Sequence, residues 1–419
     1  MSFNAAAILT TICIVLGLSS KFVMAGATVI SVLFVVLATP EAAVGYMFYL
    51  LPFAYVFKFG PGSTSIFTYI QILVVLKLFL VNQKIKRRFL YAWLVLILWQ
   101  AVGSRLQILV LVKQMIVPIT VYMVLENCRM DTTRLTKCLA IGLLLSSLIG
   151  QAKDLIPPLS KYLVEIRAYD VAGLVYRFTG LNDDPNHYGS ISILVTIGLI
   201  CQLFDGKLER KWLIVVGALI LLGLTTISKS YFLMLCVVVL MVLLMCLKKK
   251  KYTLFIAGIG ALLLVVVLVA IGSINLFDSM LQRLTYSSDI TTGRTAIWLR
   301  YLRELFSEPI HLIFGYGIGA EPLRKVAHNT LIDLLFYYGI VGSVLFLYPL
   351  FLIIGRKNKS DIFHISPLVC FLLMLFFLSY LMYYDLAFLL IYVIAYMKGT
   401  SAPAEAVPET VDEGLASNT

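Results

Sequence analysis

Residues 177–189, RFTGLNDDPNHYG, place an arginine beside a dense group of polar side chains in a mostly apolar chain. The planar fork of Arg177 matches the oxygens of a phosphate group, so this residue type favours an anionic ligand. Asp184, Asn186 and His187 follow and could contact a sugar, although this stretch also has the residue types that cap the start of a helix. Capping explains the Asp, Asn and Pro residues but does not explain Arg177.

A second group of chemically capable residues lies further along the chain. The stretch TTGRTAIWLRYLRELF (291–306) contains Arg294 and has the pattern of an amphipathic helix on a membrane surface, with Trp298 as an interface anchor. His328 and Asn329 then open the next apolar run. Histidine moves a proton most easily near neutral pH, although a histidine at a helix start is more often a cap or an interface residue.

Three glycines precede His328 in the stretch FGYGIGAEPLRKVAHNTLID. Gly315, Gly317 and Gly319 match neither of the glycine-rich patterns that bind nucleotides. Glycine allows backbone conformations that other residues avoid. We therefore expect these glycines to fold the chain tightly back towards the membrane.

Further basic residues lie near those ends of apolar runs that are predicted to face the outer side of a membrane: Arg105, Lys113 and Lys229. We expect Lys113 to lie about two helical turns below the outer surface. An ionisable residue inside a membrane is costly and indicates a functional role. The seven cysteines form no C-x-x-C or other metal-ligand spacing, so the sequence predicts neither a metal nor another cofactor.

The composition indicates that these residues sit in a membrane protein. The chain is 61% hydrophobic and 13% charged, with a mean hydropathy of +0.95. Lipid offers no partner to unpaired backbone groups, so each span should be a helix of roughly 20 residues. We predict an all-α polytopic membrane protein with about 12–14 transmembrane helices. The candidate spans are 5–20, 22–38, 41–57, 66–81, 89–105, 108–125, 138–156, 187–204, 212–228, 231–247, 253–272, 328–354, 363–380 and 386–397.

Basic residues in alternate loops predict the orientation of these spans. Five loops, near positions 84–88, 126–137, 205–211, 248–251 and 356–361, hold seventeen basic residues against five acidic ones. The positive-inside rule places these loops and both termini in the cytoplasm. The net charge of +12 is then a signature of membrane topology rather than of nucleic-acid binding.

The two longest loops fall on the outer face. The predicted organisation is N-terminal transmembrane helices in 1–156, a first outer loop in 157–186, central helices in 187–272, a second and larger outer loop in 273–327, C-terminal helices in 328–397 and a disordered cytoplasmic tail in 398–419. Long loops without a topological role are usually functional. We expect them to form a cavity lined by arginine and lysine, open to lipid, for a lipid-linked phosphate or pyrophosphate.

Four stretches, in this order, carry a resemblance to a known family: FKFGPGSTSIFTYI (57–70), RFTGLNDDPNHYG (177–189), TTGRTAIW (291–298) and GYGIG…HNTLID…YYGIVG (315–342). Together they resemble the O-antigen polymerase and O-antigen ligase superfamily. The resemblance covers nearly the whole chain and depends on the ordered set, because no single stretch is specific. It implies a GT-C-like, metal-independent glycosyltransferase in the bacterial inner membrane that acts on undecaprenyl-pyrophosphate glycans at the outer face.

The resemblance also implies roles for individual residues. The arginines of the two outer loops in this family correspond to Arg177 and Arg294, which would bind the pyrophosphate and stabilise the leaving group. Its His-Asn pair corresponds to His328 and Asn329, with His328 as the general base. The remaining candidates for substrate contacts are Asp184, Asn186, His187, Lys113, Arg105 and Lys229.

Three functions remain open at this point. The stretch FKFGPGSTSIFT favours a polymerase that joins lipid-linked repeat units of O-antigen, capsule or exopolysaccharide, together with a chain-length regulator and a flippase as partners. A ligase would instead transfer the finished glycan to lipid A core. A transporter of the same lipid would perform no chemistry, but the sequence lacks the paired, Gly/Pro-broken spans that are typical of such proteins.

Overall fold

The computed structural model describes residues 1–82, 85–103, 108–163, 167–170, 173–251, 256, 293–317, 320, 326–354, 361–380 and 386–398 of the 419-residue chain. The helices are α1 (Phe3–Gly17), α2 (Lys21–Leu37), α3 (Pro40–Leu50), α4 (Ile66–Asn82), α5 (Arg87–Gly103), α6 (Ile108–Asn127), α7 (Thr132–Gln151), α8 (Pro185–Phe204), α9 (Trp212–Leu224), α10 (Lys229–Lys248), α11 (Arg294–Ser307), α12 (Pro309–Phe314), α13 (Thr330–Ile354), α14 (Ile362–Phe377) and α15 (Leu386–Lys398). Among the described residues, one short antiparallel hairpin interrupts this pattern: β1 (Arg167–Asp170) pairs with β2 (Gly173–Tyr176) in the segment between α7 and α8. This segment and the one before α13 keep the names first and second outer loop after their predicted side of the membrane.

Four of these helices are long and apolar enough to cross a membrane: α7, α8, α10 and the part of α13 from Thr330 to Tyr348. Seven shorter apolar segments accompany them in the described part of the chain, in α1, α2, α4, α6, α9, α14 and α15. The structure therefore agrees with an all-α, membrane-embedded protein. Each predicted span overlaps a helix, except the span 253–272, which lies outside the described residues apart from Ile256.

Helix caps correct several of the predicted boundaries. The Asp131 carboxylate accepts a hydrogen bond from the Thr133 backbone N–H at 2.9 Å, so α7 begins at Thr132 rather than at 138. Because α7 ends at Gln151 and α8 begins at Pro185, the first outer loop is 152–184 rather than 157–186. The third predicted span, 41–57, is helical only to Leu50, after which a 3-10 turn follows.

The core is built around α8, which is buried along most of its length and packs against α7, α9, α10 and α14. Hydroxyl groups tie α15 to α7 and α8. The Thr136 hydroxyl lies 3.0 Å from the Tyr392 hydroxyl and 2.8 Å from that of Tyr396. The Tyr396 hydroxyl donates to the Gly198 carbonyl at 3.0 Å and accepts from the Gln202 amide at 3.0 Å. Three helices are thus joined by polar contacts inside an apolar core.

A break in α13 accommodates the second outer loop. Gly339 has φ 64° and ψ −172°, which interrupts the helical hydrogen bonds of the turn before it. The backbone N–H of Tyr316 donates to the Phe336 carbonyl at 2.8 Å. That of Gly317 donates to the Tyr337 carbonyl at 3.0 Å. The loop after α12 therefore supplies hydrogen bonds to the broken segment of α13.

The glycines of this loop behave as the sequence predicts. Gly315 and Gly317 have φ angles of 77° and 85°, which glycine adopts readily. A Cβ atom on Gly315 would lie 2.5 Å from the Tyr337 carbonyl oxygen, so no side chain fits there. Gly319 lies outside the described residues. The tight return of the chain towards α13 is confirmed for the first two glycines.

Candidate functional site

Asp184 ends the first outer loop and caps α8, as the capping interpretation predicts. Its Oδ1 atom accepts hydrogen bonds from the Asn186 backbone N–H at 2.7 Å and from the Asn186 side-chain amide at 2.8 Å. Pro185 occupies the first helical position, where its missing N–H costs nothing. These bonds also fix the Asn186 side chain, so that its carbonyl oxygen faces Arg177.

The Arg177 guanidinium is held against the turn between α9 and α10. Its Nε donates to the Thr226 carbonyl at 2.9 Å, and its Nη2 donates to Asn186 Oδ1 at 3.1 Å. The Ser228 hydroxyl donates to the same Asn186 oxygen at 2.6 Å. Arg177 is thereby oriented by two elements: the start of α8 and the α9–α10 turn.

Sequence reasoning did not identify Thr226 or Ser228 as parts of this site. In the stretch TTISKSYF, the sequence predicts a functional role only for Lys229. This residue begins α10, and its buried ammonium group follows the Ser228 cap. The run of hydroxyl residues between two apolar helices was the sequence feature that could have indicated their part in the site. Its role depends on contacts with Arg177 and Asn186, which are distant in sequence.

Arg294 is the first residue of α11 and contacts the end of α14. Its Nη1 atom donates to the Phe377 carbonyl at 2.8 Å. Thr330, at the start of α13, donates from its hydroxyl to the Leu378 carbonyl at 2.6 Å and accepts from the Tyr380 backbone N–H at 2.9 Å. The second outer loop and the start of α13 are therefore both joined to the end of α14.

Trp298 takes part in this anchoring, and its predicted role at the membrane interface stays a prediction. Its indole N–H donates to the Ala327 carbonyl at 2.8 Å, and its ring packs edge-on against Phe376 with the centroids 5.0 Å apart. The side chain is half-buried. Trp298 thus ties α11 to the segment that carries His328.

His328 has a backbone conformation that few side chains adopt, with φ 51°. Asn329 follows it and caps α13, because Asn329 Oδ1 accepts from the backbone N–H groups of Leu331 at 3.0 Å and Ile332 at 3.2 Å. Burial and the nearby Arg294 guanidinium lower the pKa of His328, while Asp184 opposes this change. The pKa of His328 therefore lies below the ordinary histidine value of about 6.5, and a neutral imidazole can accept a proton.

His187, in the first turn of α8, packs against Tyr380, which follows α14. It is 4% exposed, its ring centroid lies 4.6 Å from that of Tyr380, and it interacts electrostatically with both Asp184 and His328. Tyr380 is itself fully buried.

The structure thus brings together most of the predicted site residues. Asp184, Asn186 and His187 connect Arg177 on one side with His328 and Arg294 on the other. Two other predicted residues lie at helix starts nearby: Asn329 caps α13, and Lys229 follows the Ser228 cap of α10. Arg105 lies outside the described residues. Lys113 belongs to α6, but its side chain is not described.

Three groups define the chemistry of this site: two arginines that donate to backbone carbonyls, and the imidazole of His328 at the end of the second outer loop. Guanidinium groups bind and stabilise oxyanions, and a neutral imidazole can remove a proton from a hydroxyl group. In the described residues, no group of three or more His, Cys, Asp or Glu side chains is arranged to hold a metal ion.

Comparisons with known proteins assign no family to this arrangement. The chain matches no protein-family model, and a search of curated proteins returns no similar chain.

Proposed function

We propose that this chain is a polymerase of lipid-linked oligosaccharide repeat units: a metal-independent, GT-C-like glycosyltransferase of the bacterial inner membrane. It would transfer the growing glycan from undecaprenyl pyrophosphate to the next lipid-linked unit at the outer face. The observation that supports this most is that Arg177 is hydrogen-bonded to Asn186 at the start of α8, where Asp184 and His187 lie within electrostatic reach of His328, which in turn is within reach of Arg294. A chain-length regulator and a flippase would be its partners.

The position of the site along the helices supports an outer-face reaction. The site is built from the starts of α8, α10, α11 and α13 and from the end of α14. The basic loops that follow α4, α6, α8 and α10 lie at the opposite ends of their helices. Under the positive-inside rule those loops, and with them both termini, are cytoplasmic, so the site faces outward.

The proposed reaction uses the three groups as follows. A hydroxyl oxygen of the acceptor sugar attacks the anomeric carbon of the donor, and His328 accepts the hydroxyl proton. The bond between that carbon and the pyrophosphate oxygen breaks, and the electron pair leaves with the pyrophosphate. Arg177 and Arg294 stabilise the negative charge that develops on the leaving group. No redox partner is needed, since the bond that forms replaces the one that breaks.

Product analysis with the purified full-length protein tests the proposal. Wild type would be incubated with synthetic undecaprenyl-pyrophosphate repeat units, with no metal added, and the products would be resolved on a gel. A ladder of growing glycans that is lost in Arg177→Ala supports the polymerase. Transfer only to a lipid A core acceptor would make the chain a ligase. Lipid translocation in vesicles without any new glycosidic bond would overturn the transferase proposal.

The pH dependence of the rate tests the role of the charges around His328. Because burial and Arg294 lower the pKa of His328, we expect the rate to fall on acidification only below the ordinary histidine value of about 6.5. Arg294→Gln should move the midpoint of this fall to higher pH. Asp184→Asn should move it to lower pH while keeping the cap, since asparagine also caps helices. The measurement is the residual rate of each variant against pH.

The two opposite shifts are what distinguish an electrostatic effect from general damage. Shifts in the same direction in both variants, or no shift in either, would contradict the assignment of His328 as the base.

The lowered pKa of His328 also makes the stability of the folded protein decrease on acidification. Because the pKa in the folded state is lowered, the contribution of His328 to stability is present above the unfolded-state value and is lost as the pH falls below it.

A further inference from the structure

Lys58 is a buried cation that the proposed reaction does not use. It lies in the outer-face loop between α3 and α4 and is only 7% exposed. Its Nζ atom is 4.1 Å from the ring centroid of Tyr55 and 5.8 Å from that of Tyr162. Among the described residues, Lys58 Nζ has no hydrogen-bond or ion-pair acceptor. Lysine is rarely buried without a paired charge, so its position requires an explanation.

The loop holds Lys58 firmly in this position. The Lys58 backbone N–H donates to the Val56 carbonyl at 2.9 Å, and the Ile66 N–H donates to the Phe57 carbonyl at 2.8 Å. The Ser65 hydroxyl closes the loop by donating to the Ala54 carbonyl at 2.5 Å. The backbone is thus hydrogen-bonded on both sides of Lys58, and the ammonium group lies within 5.8 Å of both tyrosine ring centroids.

Asp183 connects this group to the candidate site. The carboxylate of Asp183 lies within electrostatic reach of both Lys58 and Tyr55, and it also interacts with Asp184. Burial raises the pKa of Asp183, whereas Lys58 lowers it. Asp184 in turn acts on His328. Lys58 is therefore linked to His328 through the adjacent carboxylates, but from the side formed by the α3–α4 loop.

We propose that Lys58, with Tyr55 and Tyr162, forms a second anion subsite that binds the pyrophosphate of the acceptor, whereas Arg177 and Arg294 bind that of the donor. The inference rests on the proposed function, in which both substrates are lipid-linked and anionic. Lysine is a compact point charge suited to phosphate, and the tyrosine rings stabilise it while the subsite is empty. Asp183 is too distant to form an ion pair, so Lys58 remains able to bind an anion.

Kinetics with two kinds of acceptor test the subsite directly. One acceptor carries the repeat unit on a polyprenyl pyrophosphate, and the other carries the same glycan on a neutral alkyl chain. Lys58→Gln should raise KM for the pyrophosphate acceptor roughly 10- to 100-fold, the range of a hydrogen bond to a charged group. KM for the neutral acceptor should be unchanged. Lys58→Arg should retain part of the discrimination, and Lys161→Gln, which changes an exposed lysine of the neighbouring loop, should behave as wild type.

Equal effects of Lys58→Gln on both acceptors would overturn the inference, because they would indicate a structural role. Equilibrium binding of polyprenyl pyrophosphate to the protein in nanodiscs separates this result from a failure of the proposed function. Two classes of sites are expected, one lost in Lys58→Gln and the other in Arg177→Ala. A protein that binds the lipid in this way but forms no glycosidic bond would refute the polymerase and keep the subsite. Competition by inorganic pyrophosphate as strong as by the lipid would show that the subsite binds the free anion and would overturn its assignment to the acceptor lipid.

Discussion

His328→Asn is expected to lower the transfer rate roughly 100- to 10,000-fold, the usual contribution of a general base. Asparagine is the appropriate replacement because His328 has φ 51°, and asparagine tolerates this region better than alanine does. The variant therefore removes the proton acceptor without adding backbone strain before the α13 cap. The measurement is the initial rate of glycan transfer by purified protein at a pH where His328 is neutral.

Two control variants make this result specific. His364→Ala removes a histidine at the opposite end of α14 from the site, and Arg303→Ala removes an exposed arginine from α11, the helix that begins with Arg294. Both should transfer glycan at close to the wild-type rate. If His328→Asn kept more than a tenth of wild-type activity, or if either control lost as much as His328→Asn, the role of His328 as the base would be refuted.

Gly339→Ala is expected to prevent the protein from folding. The backbone at Gly339, φ 64° and ψ −172°, lies in a region that is essentially restricted to glycine and costs other residues about 1–3 kcal/mol. A Cβ atom there would also lie 2.4 Å from the Gly315 nitrogen and 2.5 Å from the Ile313 carbonyl oxygen. These contacts are backbone atoms, so they cannot move aside as a side chain would. The measurement is the yield of monodisperse protein in detergent and its Tm.

Gly217→Ala is the matched control for this change. Gly217 lies within α9, and a Cβ atom there would meet nothing within 4 Å. Because alanine favours a helix over glycine by roughly 1 kcal/mol, this variant should be as stable as wild type or slightly more stable. A normal yield and Tm for Gly339→Ala would show that α13 can close its break, contrary to the packing described above.

Hydropathy predicted the helices well because a chain in lipid must satisfy its backbone hydrogen bonds within each apolar run. The orientation that the basic loops indicate stays a prediction. The ends of helices were less accurate, because they depend on local hydrogen bonds such as the one from Thr133 to Asp131. The break at Gly339 was not predicted, because it falls within an unbroken apolar run and is set by the close approach of Gly315. Contacts of this kind join residues that no local pattern connects.

The sequence predicts which residue types belong to the candidate site but not what surrounds them. Arg177, Arg294 and His328 stand out because charged residues are rare in this chain, but their orientation depends on backbone carbonyls of Thr226 and Phe377. The positions of these carbonyl groups cannot be predicted from the sequence. Asp184 and Asn329 proved to be helix caps, which is compatible with positioning their neighbours in the site.

The hydroxyl network that joins α15 to α7 and α8 has a consequence for how the protein is made. Thr136 and Gln202 belong to helices that are synthesised long before Tyr392 and Tyr396, the residues that complete their hydrogen bonds. Until α15 is inserted, these polar groups face either lipid or a gap between helices. We therefore expect nascent chains that end before α15 to be retained by membrane chaperones or degraded, whereas chains that include α15 leave the insertion machinery as stable protein.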